Sequence, residues 1–345
     1  MIVINAILFL TGLILLVKGS DLFVKHASSI AKKLGVSEFI IGLTLVSIGT
    51  SIPELASSIA ASLQQASGIV IGNVVGSNIA NIALIVGCAA IISTVKTESE
   101  MLKRDGYIML FSTLLLLAFS IDQAISRLES IIFILLYLAY ILFLFEDKTK
   151  YKGRFYFKDF IVYFYKFGYL AAIKQKIETG INNRNGEEKE TSFDSKGIRN
   201  DLLLLAIGGI AIVAGAKLFI DQAVFFAEML AVPDTIIGIS LVAIGTSLPE
   251  LMVTIAAARK GYGNIAVGNV IGSNITNIFL ILGISGLVFP FSVGAISVFL
   301  TTPFMIFMSI LLLMFIATNW EIRRSEGIVL IAMYTIFMTA TFTLT

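Results

Sequence analysis

The sequence predicts an all-α polytopic membrane protein, with ten transmembrane helices arranged as two inverted five-helix repeats. Three observations carry that expectation. The 345 residues are 57% hydrophobic and only 14% charged, far more apolar than an average soluble domain. The apolar residues gather into runs of about 17 to 25, the length a helix needs to cross hydrocarbon. Sliding the chain over itself by 196 places aligns Ile41 to Gly87 with Ile237 to Gly283 without a gap, 27 of 47 positions being identical. A repeat of that quality decides the fold before any finer reading.

Taken in order, the first half holds spans 2–24, 38–64, 69–93, 105–122 and 127–145. The second half holds 202–222, 234–258, 264–290, 294–317 and 327–344. The run Ile2 to Val17 is read as a transmembrane helix, because no basic stretch precedes it and no small-residue cleavage site leads into a soluble body. Gly12 and Gly19 fall in register with Gly208 and Gly215. Being seven apart they share a face, which serves either a smooth sliding surface or ordinary tight packing. Glu38 falls on Asp234, and both precede apolar runs as helix-start residues favoured by the helix dipole. An odd number of spans per half makes the second copy enter the membrane from the opposite side, the inverted plan of secondary transporters. The expected organisation is 1–145 as the first repeat, 146–201 as a cytoplasmic loop, and 202–345 as the second repeat.

Basic residues accumulate in cytoplasmic connections and so set orientation. With the N-terminus outside, the inner connections hold Lys25, Lys32 and Lys33, then Lys96, Lys103 and Arg104, then the start of the long loop, Arg259 and Lys260, and Arg323 and Arg324. The outer ones hold little beyond Arg127 and Lys217. Both termini are therefore expected outside a cell membrane, with the long loop in the cytoplasm. Within that loop, Phe155 to Leu170 can form an amphipathic helix on the inner leaflet, or a linker resting against the bundle. Cys88 is expected as a small buried hydrophobe. His26, the single histidine, is expected as a surface or interfacial residue.

The strongest chemical signal is GTSIPEL from Gly49 to Leu55, copied as GTSLPEL from Gly245 to Leu251. Proline within a helix removes a donor and frees the carbonyl one turn earlier, here those of Gly49 and Gly245. In a membrane such carbonyls persist where a cavity, water or an ion satisfies them. Thr50, Ser51, Thr246 and Ser247 add hydroxyls at the same breaks. Glu54 and Glu250 add carboxylates near mid-span, which mark ion or proton pathways. The next span of each half carries GNVVGSNIANI and GNVIGSNITNI, placing Ser77 with Asn81 and Ser273 with Asn277 on one helix face. Gly72 with Gly76, and Gly268 with Gly272, have the spacing of close helix packing. Asn73, Asn78, Asn269 and Asn274 read as interhelical hydrogen-bonding residues. Carboxylate, hydroxyl and amide oxygens converging from four helices make a hard-cation site. Two carboxylates balance one divalent or two monovalent ions. Nothing here suits Zn2+ or Cu+.

These duplicated motifs closely resemble the cation/Ca2+ exchanger superfamily, specifically its sodium/calcium exchangers and their prokaryotic relatives. The resemblance implies an antiporter, not an enzyme, that exchanges Na+ for Ca2+ by alternating access. The first and sixth helices would move across a core of the second, third, seventh and eighth. It implies Glu54 and Glu250 as Ca2+ ligands, with Thr50, Ser51, Ser77, Thr246, Ser247 and Ser273 as oxygen ligands. Backbone carbonyls near Ser47 and Ala243 join them, and Asn81 and Asn277 close the site. In some relatives, including potassium-dependent ones, the position of Asn277 is Asp, so Asn here argues against K+ cotransport. No cofactor and no nucleic acid is expected. The partners are Ca2+, Na+ and the lipid bilayer, and the chain is expected to act as a monomer. Two alternatives remain open at this level: coupling to H+ with a glutamate as proton carrier, and a cation channel.

Overall fold

In the computed structural model of the chain, residues 2–99, 101–146, 156–170, 195–229, 243–318 and 320–344 are described. Among these residues the regular structure is helical apart from four two-residue strands. Helix α1 runs Ile2–Leu34. Helix α2 (Glu38–Thr50) and helix α3 (Ile52–Leu63) form one apolar stretch bent by 46°. Helix α4 is Ser67–Ile92, and α5 runs from a π-helical turn, Met101–Gly106, into Tyr107–Phe119. Helix α6 is Arg127–Leu144 and α7 is Phe157–Tyr165. The second half supplies α8 (Ser195–Met229), α9 (Ala243–Thr246), α10 (Leu248–Arg259) and α11 (Gly263–Val288). It ends with α12 (Ser297–Ala317) and α13 (Arg324–Leu344). Six of the described helices are by themselves long and apolar enough to cross a membrane, and the bent pair α2 and α3 makes a seventh.

Helices α4 and α11 are the most enclosed, with 72% and 83% of their most apolar stretch buried, against 17% for α1 and 28% for α8. That contrast separates a core from a periphery. The core is α2, α3, α4, α10 and α11. Helix α5 packs on α12, α6 on α11, and α13 on α4. Similar contacts occur in both halves: a Cβ on Gly87 would meet Ile331 and the Gly327 carbonyl, and one on Gly283 would meet Ile134 and the Ser130 carbonyl. Short antiparallel pairs close the two ends. Val95 and Lys96 (β1) pair with Ile322 and Glu321 (β4), while Ala124 and Ile125 (β2) pair with Ser292 and Phe291 (β3).

Helices α1 and α8 pack along much of their length. A Cβ on Gly12 would lie 2.7 Å from the Phe219 nitrogen, and one on Gly208 2.9 Å from the Phe23 nitrogen. Of the two readings of these glycines, close packing is the one found, and it joins α1 to α8. Similarly, a Cβ on Gly268 would lie 2.8 Å from the Phe39 carbonyl and one on Gly272 2.6 Å from that of Leu43. Only residues without side chains let α11 approach α2 this closely. Gly72 and Gly76 are different: a Cβ on either would meet no described atom within 4 Å. The counterparts of Gly42 and Leu43 in the second half, Gly238 and Ile239, lie outside the described residues.

Several local expectations change. At 33 residues, α1 is about 50 Å long, longer than hydrocarbon is thick, so Lys25, Lys32 and Lys33 ride on its last turns instead of a connection. His26 is buried, not a surface residue: its Nδ1 lies 2.7 Å from Asp201 Oδ1 on α8. Ser29 and Lys33 complete the cluster by reaching Asp201 Oδ2 at 2.6 and 2.8 Å. A buried carboxylate needs such partners, and α8 brings one because it begins at Ser195, seven residues before the expected span. Arg104 also leaves the connection to which its charge assigns it. It is buried in the first turns of α5, with Nε 2.9 Å from Asp105 Oδ2, and Tyr140 donates to Asp105 Oδ1 at 3.2 Å. Cys88 is half-buried instead of enclosed. Glu38 stands in the first turn of α2, after the Ser37 cap, and accepts a hydrogen bond from Ser28 at 2.6 Å. Asp234 lies outside the described residues.

The helix expected near 155–170 forms as Phe157–Tyr165. Phe160 and Tyr163 turn inward, Phe160 edge-on to Tyr140 and both against Phe143. Its apolar face thus rests on the bundle, while Lys158, Val162, Tyr165 and Lys166 face outward.

Candidate cation site

Helix α2 ends at Thr50 and α3 restarts at Ile52, with Pro53 in its first turn. There the missing N–H costs nothing, because first-turn donors have no intrahelical acceptor. The second half repeats the arrangement at Thr246, Ser247 and Pro249. Both breaks place a glutamate, Glu54 or Glu250, in the first turn of a half-helix, where the dipole favours negative charge. Each is 1% exposed.

The hydroxyls of the breaks link the halves. Ser51 Oγ donates to Glu250 Oε1 at 3.2 Å and lies 3.2 Å from Ser273 Oγ. Ser247 Oγ donates to Ser77 Oγ at 3.3 Å, the same contact at the 196-residue offset. Thr50 Oγ1 lies 3.2 Å from Asn269 Oδ1. The Ser47 carbonyl accepts from the Ser51 N–H at 3.1 Å and from the Thr50 hydroxyl at 3.3 Å. Thr246 is half-buried at the end of α9, and Ala243 opens that helix.

Four further asparagines, readable in the sequence only as interhelical bonders, turn out to brace this centre. Asn73 donates to the Glu54 carbonyl at 3.2 Å and to Ser58 at 2.8 Å. Asn269 donates to the Glu250 carbonyl at 3.5 Å and to Thr254 at 3.0 Å. Asn81 donates to Asn274 Oδ1 at 3.0 Å, and Asn277 to Asn78 Oδ1 at 2.9 Å. Asn81 opens a π-helical turn, Asn81–Ile85, and Asn277 lies in another, Thr276–Leu282. Such wide turns shift side chains relative to an ideal helix and recur at functional sites. No hydropathy pattern announces them.

Five buried oxygens of this centre have no hydrogen-bond partner among the described residues: both of Glu54, Oε2 of Glu250, and Oδ1 of Asn81 and of Asn277. Buried oxygens without donors are costly, and carboxylate oxygens most of all. They sit on α3, α4, α10 and α11, four helices that pack against one another. Among the described residues no group of three or more His, Cys, Asp or Glu occurs, so the available donors are two carboxylates with hydroxyls and amides. A hard cation is the ligand that such a set satisfies.

Comparison with known proteins agrees with this geometry. The family described as "Sodium/calcium exchanger protein" matches residues 4–146 and 200–343. The sodium/calcium exchanger MaX1 of Methanosarcina acetivorans is 60% identical over 99% of both chains. The inner membrane protein YrbG of Escherichia coli is 33% identical, over 82% of this chain and 79% of its own. Among solved structures, the sodium-calcium exchanger NCX_Mj soaked with 10 mM Na+ and zero Ca2+ superposes with a TM-score of 0.79 at 33% identity, covering 98% of this chain and 99% of that one. With a matched family, full-length relatives and a shared fold, this multi-pass membrane chain belongs to the sodium/calcium exchanger family.

Proposed function

We propose that this protein is a secondary active antiporter that exchanges Na+ for Ca2+, carrying either Ca2+ or several Na+ at the crossing of α2/α3, α4, α9/α10 and α11. The observation that carries the reading is the set of unpartnered buried oxygens on Glu54, Glu250, Asn81 and Asn277, which lie on four helices packed against one another. Two carboxylates leave room for one divalent or two monovalent charges, so the two cargoes exchange without a large Coulomb penalty. The hydroxyls of Thr50, Ser51, Ser77, Thr246, Ser247 and Ser273, with the carbonyls of Ser47 and Ala243, supply the remaining oxygens. Cargo names borne by the relatives support this choice.

Exchange follows from alternating access. The ten spans form two inverted five-helix repeats, and α1 with α8 moves as one body across the core. The site passes between the two sides when it holds one cargo or the other, and only differential binding of the ions across the inward and outward states couples the fluxes. Both termini lie outside and the 146–201 loop in the cytoplasm, as the basic residues indicate. One chain carries a complete site, so the monomer suffices.

The test is Ca2+ uptake into liposomes holding the purified protein. Loading the liposomes with Na+ drives uptake from a Na+-free medium. Replacing Na+ by choline and imposing a pH gradient leaves only background. Uptake driven equally well by the pH gradient would assign the coupling to protons instead.

A further inference from the structure

A primary amide is two-ended: its oxygen accepts and its NH2 donates. An asparagine serves a cation only through the oxygen, yet in a site that also holds two carboxylates an unrestrained amide turns its NH2 toward the negative charge. Asn81 and Asn277 therefore need something to fix which end faces inward.

Resting on the exchanger reading above, we propose that Asn274 and Asn78 are positioning residues that hold the NH2 groups of Asn81 and Asn277 away from the cargo, so that each amide oxygen faces it. The contacts are reciprocal between halves. Asn81 Nδ2 donates to Asn274 Oδ1 at 3.0 Å, and Asn277 Nδ2 donates to Asn78 Oδ1 at 2.9 Å. Oδ1 of Asn81 and Oδ1 of Asn277 are the atoms left without a donor. All four residues are at most 1% exposed, so no solvent competes for these bonds.

The positioning amides are themselves oriented. Asn78 Nδ2 donates to the Asn274 backbone carbonyl at 3.3 Å, which points its oxygen at Asn277. Asn274 Nδ2 meets the Met109 sulfur at 3.6 Å, a weak acceptor that still takes the donor end. Polarity thus passes from backbone to positioning amide to ligand amide, as an outer layer tunes metal ligands elsewhere. Each half sets the ligand of the other. That dependence gives one site, built from two copies, a reason to assemble only when both halves are in place.

A double-mutant cycle separates orientation from packing. Ca2+ dissociation constants are measured by calorimetry for the full-length protein and for Asn274→Leu, each with Asn81 native or as Asn81→Asp. A carboxylate presents oxygen from either end and needs no orienting. Asn274→Leu should weaken Ca2+ binding on the order of tenfold when Asn81 is native, and by less than about twofold in the Asn81→Asp background, where the orienting bond has no role. Equal weakening in both backgrounds would overturn the proposal, because a packing defect acts regardless of the ligand's polarity. If Asn274→Leu fails to fold, Asn274→Ser, too short to reach Asn81 Nδ2, takes its place in the same cycle. Failure of the native protein to take up Ca2+ against a Na+ gradient would sink the exchanger reading itself, a result distinct from a cycle that shows no coupling.

Discussion

Asn269 ties together three groups that come from different places in the chain: its Oδ1 meets the Thr50 hydroxyl of the first half, while its Nδ2 reaches the Glu250 carbonyl and the Thr254 hydroxyl of its own. Asn269→Leu leaves these groups buried and less well paired, at a cost of about 1–3 kcal/mol. A lowered melting temperature and weakened Ca2+ binding are the expected outcomes, read by thermal melting and calorimetry on the same preparation. At this scale the sequence was legible in residue type and in position along the helix. The pair GTSIPEL and GTSLPEL announced Glu54, Glu250 and their hydroxyls because proline and glutamate are costly in mid-membrane unless something answers them. What it did not carry was which nitrogen meets which oxygen. Asn73, Asn78, Asn269 and Asn274 read as bonds between helices, which they are, but bracing of the site depends on atoms brought together from 193 to 199 positions away in some cases. His26 shows the same limit, since its partner Asp201 lies 175 positions along the chain.

Helix approach is governed by what the glycines leave out. At Gly272 an added Cβ would lie 2.6 Å from the Leu43 carbonyl and 2.7 Å from Ser47 Oγ. The backbone oxygen belongs to a packed helix and has little freedom to give way. Gly272→Ala should therefore push α11 off α2 and destabilise the protein by about 1–3 kcal/mol, visible as a lower melting temperature with helicity intact. Element existence was readable from apolar length, and the breaks after Thr50 and Thr246 from their prolines. Element ends were not. Helix α1 continues to Leu34 and α8 begins at Ser195, because charged residues that signal a loop in a hydropathy profile are here paired to each other on helical turns. Arg104 is the clearest instance: charge suggests a connection, whereas Asp105 and Tyr140 give it a buried place within α5.

Across the whole molecule, α1 and α8 pack on each other through glycines and meet the core through apolar as well as polar contacts, a Cβ on Gly49 reaching Phe23 and one on Gly245 reaching Ile220. Lys260, which caps the C-terminus of α10, reaches Asp21 Oδ1 at 2.9 Å and its carbonyl at 2.8 Å, and Ser28 reaches Glu38. One contact repeats along with the letters, Ser51 to Ser273 being matched by Ser247 to Ser77. The central claim is that the two copies build one cargo site and that both glutamates are needed for it. Ca2+ uptake into Na+-loaded liposomes, compared among the native protein, Glu54→Gln and Glu250→Gln, tests that claim most directly. Loss of uptake by at least about a hundredfold in each variant, with folding preserved by thermal melting, is the predicted result, since removing one of a few charged ligands costs more than about 2.7 kcal/mol. Uptake that persists near the native rate in either variant would contradict a single site shared by the two halves.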